Sequence, residues 1–291
     1  GTYKDTISFR TCNNEASYNF KFKNASTTQS FNASYTINWG DGSPDTTFAS
    51  WTDTIDHDFA SGLNTMTVAV TGTSGCIGIK KYIVYVGAFP YGTITNTGSS
   101  EICESASLNF NLTNTAGNTP GTSYIFYIND FTEGQFFQQP PPPVIAQQFT
   151  KNSCSYLSDD GSQVFSNALG AYLLVQNPCG VNSSSVVPIY VSGRPKPAIY
   201  VSEPATCINS TVTLINTSGF GNVITPTGGI NATCENKGKN VWTISPASGY
   251  TIVSGNPGSL NGNVTNQAAW TDGSDSLNLQ FTQPGTYIVK I

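Results

Sequence analysis

Charge is scarce in this sequence: 10% of its 291 residues are Asp, Glu, Lys or Arg, and the formal balance is −5. Nucleic-acid binding needs a basic face, so that partner class is excluded. Histidine occurs once, at position 57, and no two of the seven cysteines form a CxxC pair. A lone histidine with no Ser-His-Asp or Cys-His context is a poor general base, and zinc lacks its usual ligand spacing. No run of 18 apolar residues is present, so no membrane insertion as a helix is expected. The sequence offers no catalytic residue and reads as a non-enzyme.

Asn, Ser, Thr and Gly fill the polar positions instead. Such side chains compete with helix hydrogen bonds and favour turns and strands. Aromatics reach 12%, too many for a disordered chain. The length suits two or three domains. Widely separated cysteines in a turn-rich chain fit disulfides in an oxidising compartment. An odd count of cysteines leaves at least one thiol without a partner in this chain.

Three repeats emerge when cysteine-flanked segments are aligned. They read Cys12-NNEASYNFKFKNAST, Cys103-ESASLNFNLTNTAG and Cys207-INSTVTLINTSG, with starts 91 and 104 residues apart. That spacing is the size of one immunoglobulin-like sandwich. Each repeat then offers an aromatic strand, near Trp39, Tyr127 and Trp242, whose aromatic should pack between two sheets. Each also has a late strand: Met66 to Val70, Tyr172 to Val175, and Tyr287 to Ile291. The expected fold is all-β, with tandem antiparallel immunoglobulin-like sandwiches over residues 1–88, 89–194 and 195–291. Residues 86–91 and the Pro-rich 193–198 are the connectors.

Repeat-equivalent positions predict the disulfides Cys12–Cys76 and Cys103–Cys179, each tying an early strand to a late one. Cys154, Cys207 and Cys234 stay open, with Cys207–Cys234 as one alternative. The third repeat reaches Ile291 without the cysteine and final strand that follow in the other two. The chain is therefore expected to stop inside a domain and the protein to continue beyond it.

Residues 35–86 carry a family resemblance. YTINWGDGSPD, IDHDF, MTVAVTGTSGC and YIVYVG resemble a PKD domain, with Trp39, Gly40, Asp41, Gly42, His57 and Phe59 at the positions of its motif. The usual G-x-Y before the late strand is altered to Gly62-Leu-Asn-Thr-Met66. The third repeat, in CINSTVTLINTS, VWTISPASGY and AAWTDGSDSLNLQFTQPGTY, is similar to Ig/PKD-like repeats of large surface proteins in gliding Bacteroidota, including gliding-motility adhesins of the SprB type. The resemblance implies export by type IX secretion to the cell surface, association with the outer membrane, and contact with outer-membrane secretion and motility machinery. It also gives His57 a structural position on a strand.

Asp41, Asp45, Asp53, Asp56 and Asp58 are calcium candidates by their oxygen chemistry, without the DxDxDG spacing of a loop site. Four of the 11 aspartates precede Ser or Thr, at Thr6, Thr46, Thr54 and Ser276, which resembles the O-glycosylation signal of Bacteroidota. Trp51, Trp270 and the Phe136–Phe137 pair are candidates for a sugar platform, although aromatics in sandwiches are more often core. Pro140 to Pro143 read as a polyproline II crossover between sheets. The function expected is a stalk or adhesive segment whose partners are surface glycans or other cell-surface proteins. The rival expectations are a carbohydrate-binding or spacer region of a secreted polysaccharide hydrolase, and a subunit of an extracellular filament.

Overall fold

A computed structural model describes residues 7–51, 53–129, 134–236 and 238–291. The chain is all-β: the described residues form 25 strands and two three-residue 3-10 turns, at Gln29–Phe31 and Gln267–Ala269, with no α-helix. Chain contacts divide it into two compact units. The first holds residues 1–99, 107–147 and 170–187; the second holds 100–106, 148–169 and 188–291. Three repeats in sequence thus become two bodies in space, and the middle repeat contributes to both.

Residues 7–86 build a sandwich from β1 (Ile7–Thr11), β2 (Ser17–Phe22), β3 (Asn32–Asn38), β4 (Thr46–Phe48), β5 (Ile55–Ala60), β6 (Gly62–Gly72) and β7 (Ile77–Val86). One sheet runs β1-β7-β6-β3-β4 and the other is the pair β2-β5. Period-2 alternation sets the inner faces. It sends Phe20 and Phe22 of β2, and Tyr35 and Ile37 of β3, inward. Phe20, Phe22 and Ile37 meet Trp39, Phe59, Met66, Val84 and Val86 in the core, and Tyr35 packs beside it on Phe48 and Trp51. β1 joins β7 in parallel, with Thr11 opposite Val86.

Residues 93–192 carry β8 (Thr93–Thr97), β9 (Glu101–Cys103), β10 (Ser107–Thr113), β11 (Ser123–Ile128), β12 (Gln135–Gln138), β13 (Val144–Gln148), β14 (Leu157–Asp159), β15 (Val164–Ser166), β16 (Leu169–Asn177) and β17 (Gly180–Ser192). The sheets are β13-β10-β8, β12-β11-β16-β17-β9 and the hairpin β14-β15. β17 begins in the first unit and ends in the second. The Pro-rich stretch crosses from β12 to β13, between two sheets, as expected. The buried aromatics of β11 are Tyr124 and Phe126. Tyr127, expected inside, points outward and stacks on Tyr172 at 5.2 Å. The register of alternation, and not aromaticity, chose the inner residue.

Residues 199–290 carry β18 (Ile199–Val201), β19 (Thr211–Asn216), β20 (Asn222–Gly228), β21 (Asn231–Asn236), β22 (Thr243–Ser245), β23 (Tyr250–Ser254), β24 (Ser276–Phe281) and β25 (Ile288–Lys290). Their sheets are β18-β19-β24-β23, β20-β21 and β22-β25. Val212, Leu214, Trp242, Leu277 and Leu279 form the core. Among the described residues the hairpin β20-β21, between β19 and β22, has no counterpart at the same place in the other repeats.

The disulfides differ from those expected. Cys12 bonds Cys179 and Cys154 bonds Cys234, with Cα–Cα distances of 5.7 Å in both. Cys76, Cys103 and Cys207 are free and exposed. The parallel pairing of first and last strands explains the correction. It puts Cys12 beside the end of β7, whereas Cys76 precedes its start at Ile77. A strand of that length spans about 30 Å, far beyond the roughly 7 Å limit for a disulfide. Likewise Cys103 faces Ser192 at the end of β17, and Cys179 precedes its first residue.

Candidate functional sites

The motif residues of the first sandwich converge on one cluster. Trp39 and His57 stack face to face, with centroids 4.1 Å apart and planes within 2°. Phe59 closes edge-on against both rings. His57 Nε2 lies 2.8 Å from Asp41 Oδ2. An ionised carboxylate only accepts, so Nε2 carries the proton. Asp41 Oδ1 accepts from the Ser43 amide at 2.9 Å, and Trp39 Nε1 donates to Thr46 Oγ1 at 3.0 Å. Gly40 packs directly on the backbone of Thr65. The cluster locks the turn between β3 and β4 onto β5 and β6.

Burial raises the Asp41 carboxyl pKa, but hydrogen bonds from His57 and Ser43 outweigh it and hold the group below the usual aspartate range. A depressed folded pKa means the carboxylate stabilises the fold above the unfolded value of about 4, and loses that contribution as pH falls through the lower folded value. Asp41→Asn is therefore expected to lower Tm near neutral pH. The gap between wild type and variant should narrow as pH falls below about 4, as followed by circular dichroism melts. A gap that stays constant from pH 7 to pH 3 would show that the charge plays no part.

The acidic residues do not assemble as a metal site. Asp41 is engaged as above, Asp45 accepts from Asn38 at 2.7 Å, and Asp56 accepts from Asn19 at 3.2 Å. Asp53 and Asp58 point to solvent. Among the described residues no group of three or more His, Cys, Asp or Glu is placed to hold a metal ion.

Two junctions between successive repeats are bonded through buried and half-buried polar groups. Within the first unit, Cys12 meets Cys179 at the tip of the β16–β17 hairpin. Arg10 Nη1 donates to Pro178 O at 2.6 Å. Asn177, 4% exposed, donates to Ala88 O and Thr122 Oγ1 at 3.0 and 3.1 Å. Asn118 donates to Tyr91 O and to the Tyr124 hydroxyl, both at 2.6 Å, and Tyr124 in turn donates to Gln139. Burial pushes the Tyr124 phenol above its ordinary pKa, which keeps that donor protonated. Buried amides with every donor used fix a single geometry, because a shift would strand them unpaired.

Within the second unit the clasp is the extra hairpin β20-β21. Cys234 on β21 bonds Cys154, and Asn167 Nδ2 donates to Ala232 O at 2.6 Å. Ser166 N donates to Ile230 O at 3.0 Å, and Ile224 N donates to Ser192 Oγ at 3.1 Å. Ala168, Tyr190, Ile224 and Ala232 form a small buried cluster beside the disulfide. The Pro-rich connector is stitched as well: Gly193 N donates to Asn222 O, and Lys196 and Gly219 exchange backbone bonds. Sequence reasoning missed this clasp. Cys154, Cys207 and Cys234 were all left open by spacing, and no local signal chose Cys154–Cys234 among them.

The remaining candidates scatter. Thr6 lies outside the described residues. Thr46 is half-buried with its hydroxyl bonded to Trp39, whereas Thr54 and Ser276 are exposed. O-linked sugar is accordingly expected on Thr54 or Ser276, and glycopeptide mapping of natively sourced protein that found both bare would refute it. Of the aromatic platform, Trp270 Nε1 is tied to Asn263 O at 2.6 Å, Phe137 is half-buried and Phe136 is exposed. Trp51 packs on Tyr35 and Phe48. It borders a cleft of about 730 Å³ lined also by Phe22, Met66 and Tyr82, where Trp51 Nε1 and Asn24 Nδ2 are buried without partners.

No protein-family model matches the sequence, and no curated protein matches it. Solved structures resemble it at low identity. The fibronectin(III)-like modules of Clostridium thermocellum CbhA are 12% identical, with 64% of this chain and 92% of that chain covered and a TM-score of 0.28. The amphioxus IgVJ-C2 molecule is 14% identical over 62% and 99%, with a TM-score of 0.26. The Bacteroides ovatus mixed-linkage glucan utilization locus protein SGBP-B, solved with a mixed-linkage heptasaccharide, is 13% identical over 98% and 59%, with a TM-score of 0.24. At these scores the likeness says nothing of activity or partners, and the fold rests on the sheet topology above. Among the described residues no helix is long and apolar enough to cross a membrane.

Proposed function

We propose that this chain is a non-catalytic structural and adhesive segment of a secreted bacterial cell-surface protein, with sandwich modules at 1–88, 89–194 and 195–291. Stalk or adhesin repeats serving surface attachment or gliding motility are the specific form, with surface glycans or other surface proteins as partners. The observation that supports it is where the cysteines are used. Both disulfides join one repeat to the next, and neither sits inside a sandwich. A crosslink at a junction resists separation of modules under tension, whereas one inside a sandwich would protect only that module. Two disulfides also fit an oxidising compartment outside the cytosol.

Single-molecule stretching tests the mechanical half. The disulfides enclose 167 and 80 residues of sequence, so oxidised protein should release less contour length than reduced protein. Equal extension with and without reductant would remove the support. Beads coated with the chain test the adhesive half, and no retention on glycan or cell surfaces would count against it.

A second reading, a carbohydrate-binding region of a secreted polysaccharide hydrolase, is favoured by the Trp51 cleft. Aromatic faces with unpaired buried donors suit sugar rings and hydroxyls. Glycan-array binding abolished by Trp51→Ala would support it; binding unaffected by that change would place the sugar elsewhere.

A further inference from the structure

We propose that the Trp51 cleft of the first sandwich takes an acidic sugar, a ring that carries a carboxylate, and that Lys80 selects the charge. The proposal rests on the carbohydrate reading above and names the class of sugar. The cleft exists because the two sheets differ in length. The smaller sheet ends at the pair Phe22–Ile55, whereas β6 runs on to Gly72 and β7 returns from Ile77. Beyond that pair the inner face of the larger sheet looks onto the cleft of about 730 Å³ instead of a second layer. Such a volume lies within the range of small-ligand sites.

The two walls differ in chemistry. One is apolar, with Met66, Val68 and Val70 of β6 and the rings of Trp51 and Tyr82. The other is polar, with Asn24, Ser26 and Thr28 of the segment after β2. A sugar ring divides in the same way, into C–H faces and a hydroxyl edge, and a fatty chain does not. Trp51 Nε1 and Asn24 Nδ2 are buried without partners, and both can only donate. Asn24 Oδ1 already accepts from the Ser26 amide at 2.9 Å, so the amino end is the one left over. Lys80 supplies the charge. Period-2 alternation sets it on the face of β7 that carries Tyr82, Val84 and Val86, and it lies opposite the buried Val68. Its Nζ stands 5.2 Å from the centroid of Tyr82. Lys23 lines the cleft as well, and among the described residues no Asp or Glu does, in a chain whose acids outnumber its bases by 17 to 12. A neutral sugar would leave this positive lining uncompensated. A carboxylate compensates it and offers acceptors for the two unpaired donors.

The test compares trigalacturonate with its methyl ester, the same rings without the charge, by titration calorimetry on the full chain. The acid should bind about tenfold more tightly, and its advantage should shrink at high ionic strength. Lys80→Gln, at an exposed position that the fold tolerates, should cost the acid about tenfold more affinity than the ester. Cys76, a free and exposed thiol in the lining, reports where the sugar sits. Bound acid should slow its alkylation about tenfold while Cys103 and Cys207 react at their unliganded rates. Equal binding of acid and ester, both lost in Trp51→Ala, would overturn the charge selection and leave the carbohydrate reading standing. Decanoate that protected Cys76 as well as trigalacturonate does would overturn the sugar. Binding of neither saccharide would remove the proposal and the carbohydrate reading together.

Discussion

Cys12→Ser is expected to lower the stability of the first unit by about 4–5 kcal/mol, because the bond to Cys179 spans 167 residues of sequence. In the chain-entropy account a crosslink gains with the logarithm of the loop it closes, and this one is long. The polar contacts beside it are worth less. The bonds from Arg10 to Pro178 and from Asn177 to Ala88 and Thr122 contribute about 1 kcal/mol each. The disulfide therefore dominates the junction, and its loss should lower Tm by about 10–15 °C. Thiol titration of unfolded protein supplies an independent readout. Three free cysteines in the native chain become four in Cys12→Ser, because Cys179 is released. In the double variant Cys12→Ser/Cys179→Ser the count returns to three while the stability loss remains. Unchanged melting in the single variant would contradict the bond, as would recovery of a Cys12–Cys76 crosslink from non-reduced peptide maps.

Gly40→Ala is expected to destabilise the first sandwich by about 3–5 kcal/mol. A Cβ at this position would sit 2.1 Å from Thr65 O and 2.7 Å from Thr65 C. Thr65 lies within β6 and is held opposite Ile83 of β7, so the backbone cannot retreat without breaking the ladder. Gly40 also sits at φ +77, where a side chain adds strain of its own. Gly42, two residues on, separates the two causes. It has φ +89 and no atom within 4 Å of its added Cβ. Gly42→Ala should cost only about 1–2 kcal/mol, the backbone strain alone. Urea titrations of the two variants give the comparison. Equal losses would mean that strain, and not the approach of β6, explains the need for glycine at position 40.

The strands and their inner faces were legible in the sequence because period-2 alternation is a local property. SYNFKF, SLNFNLT and SLNLQF each declare which residues face inward, and Phe20, Phe110 and Leu277 do so. Trp39, Asp41 and His57 were marked in the sequence only by the motif that residues 35–86 resemble; that they touch one another was decided by the packing of β5 on the turn after β3. Alternation did not single out Tyr127 from Phe126, because an aromatic run offers both faces an aromatic and only the paired register decides.

Cysteine pairing was a matter for tertiary structure alone. Repeat spacing marks equivalent positions but carries no direction, and a parallel pairing of first and last strands places those positions at opposite ends of a long strand. The same pairing brings Cys12 to the hairpin tip of the following repeat. The clasp of Cys154 and Cys234 depends on two hairpins, β14-β15 and β20-β21, that meet only after the chain has folded. The sequence by itself determined what each strand buries. Which repeat each disulfide reaches was decided by long-range packing, since no local pattern encodes the distance between residues so far apart in the chain.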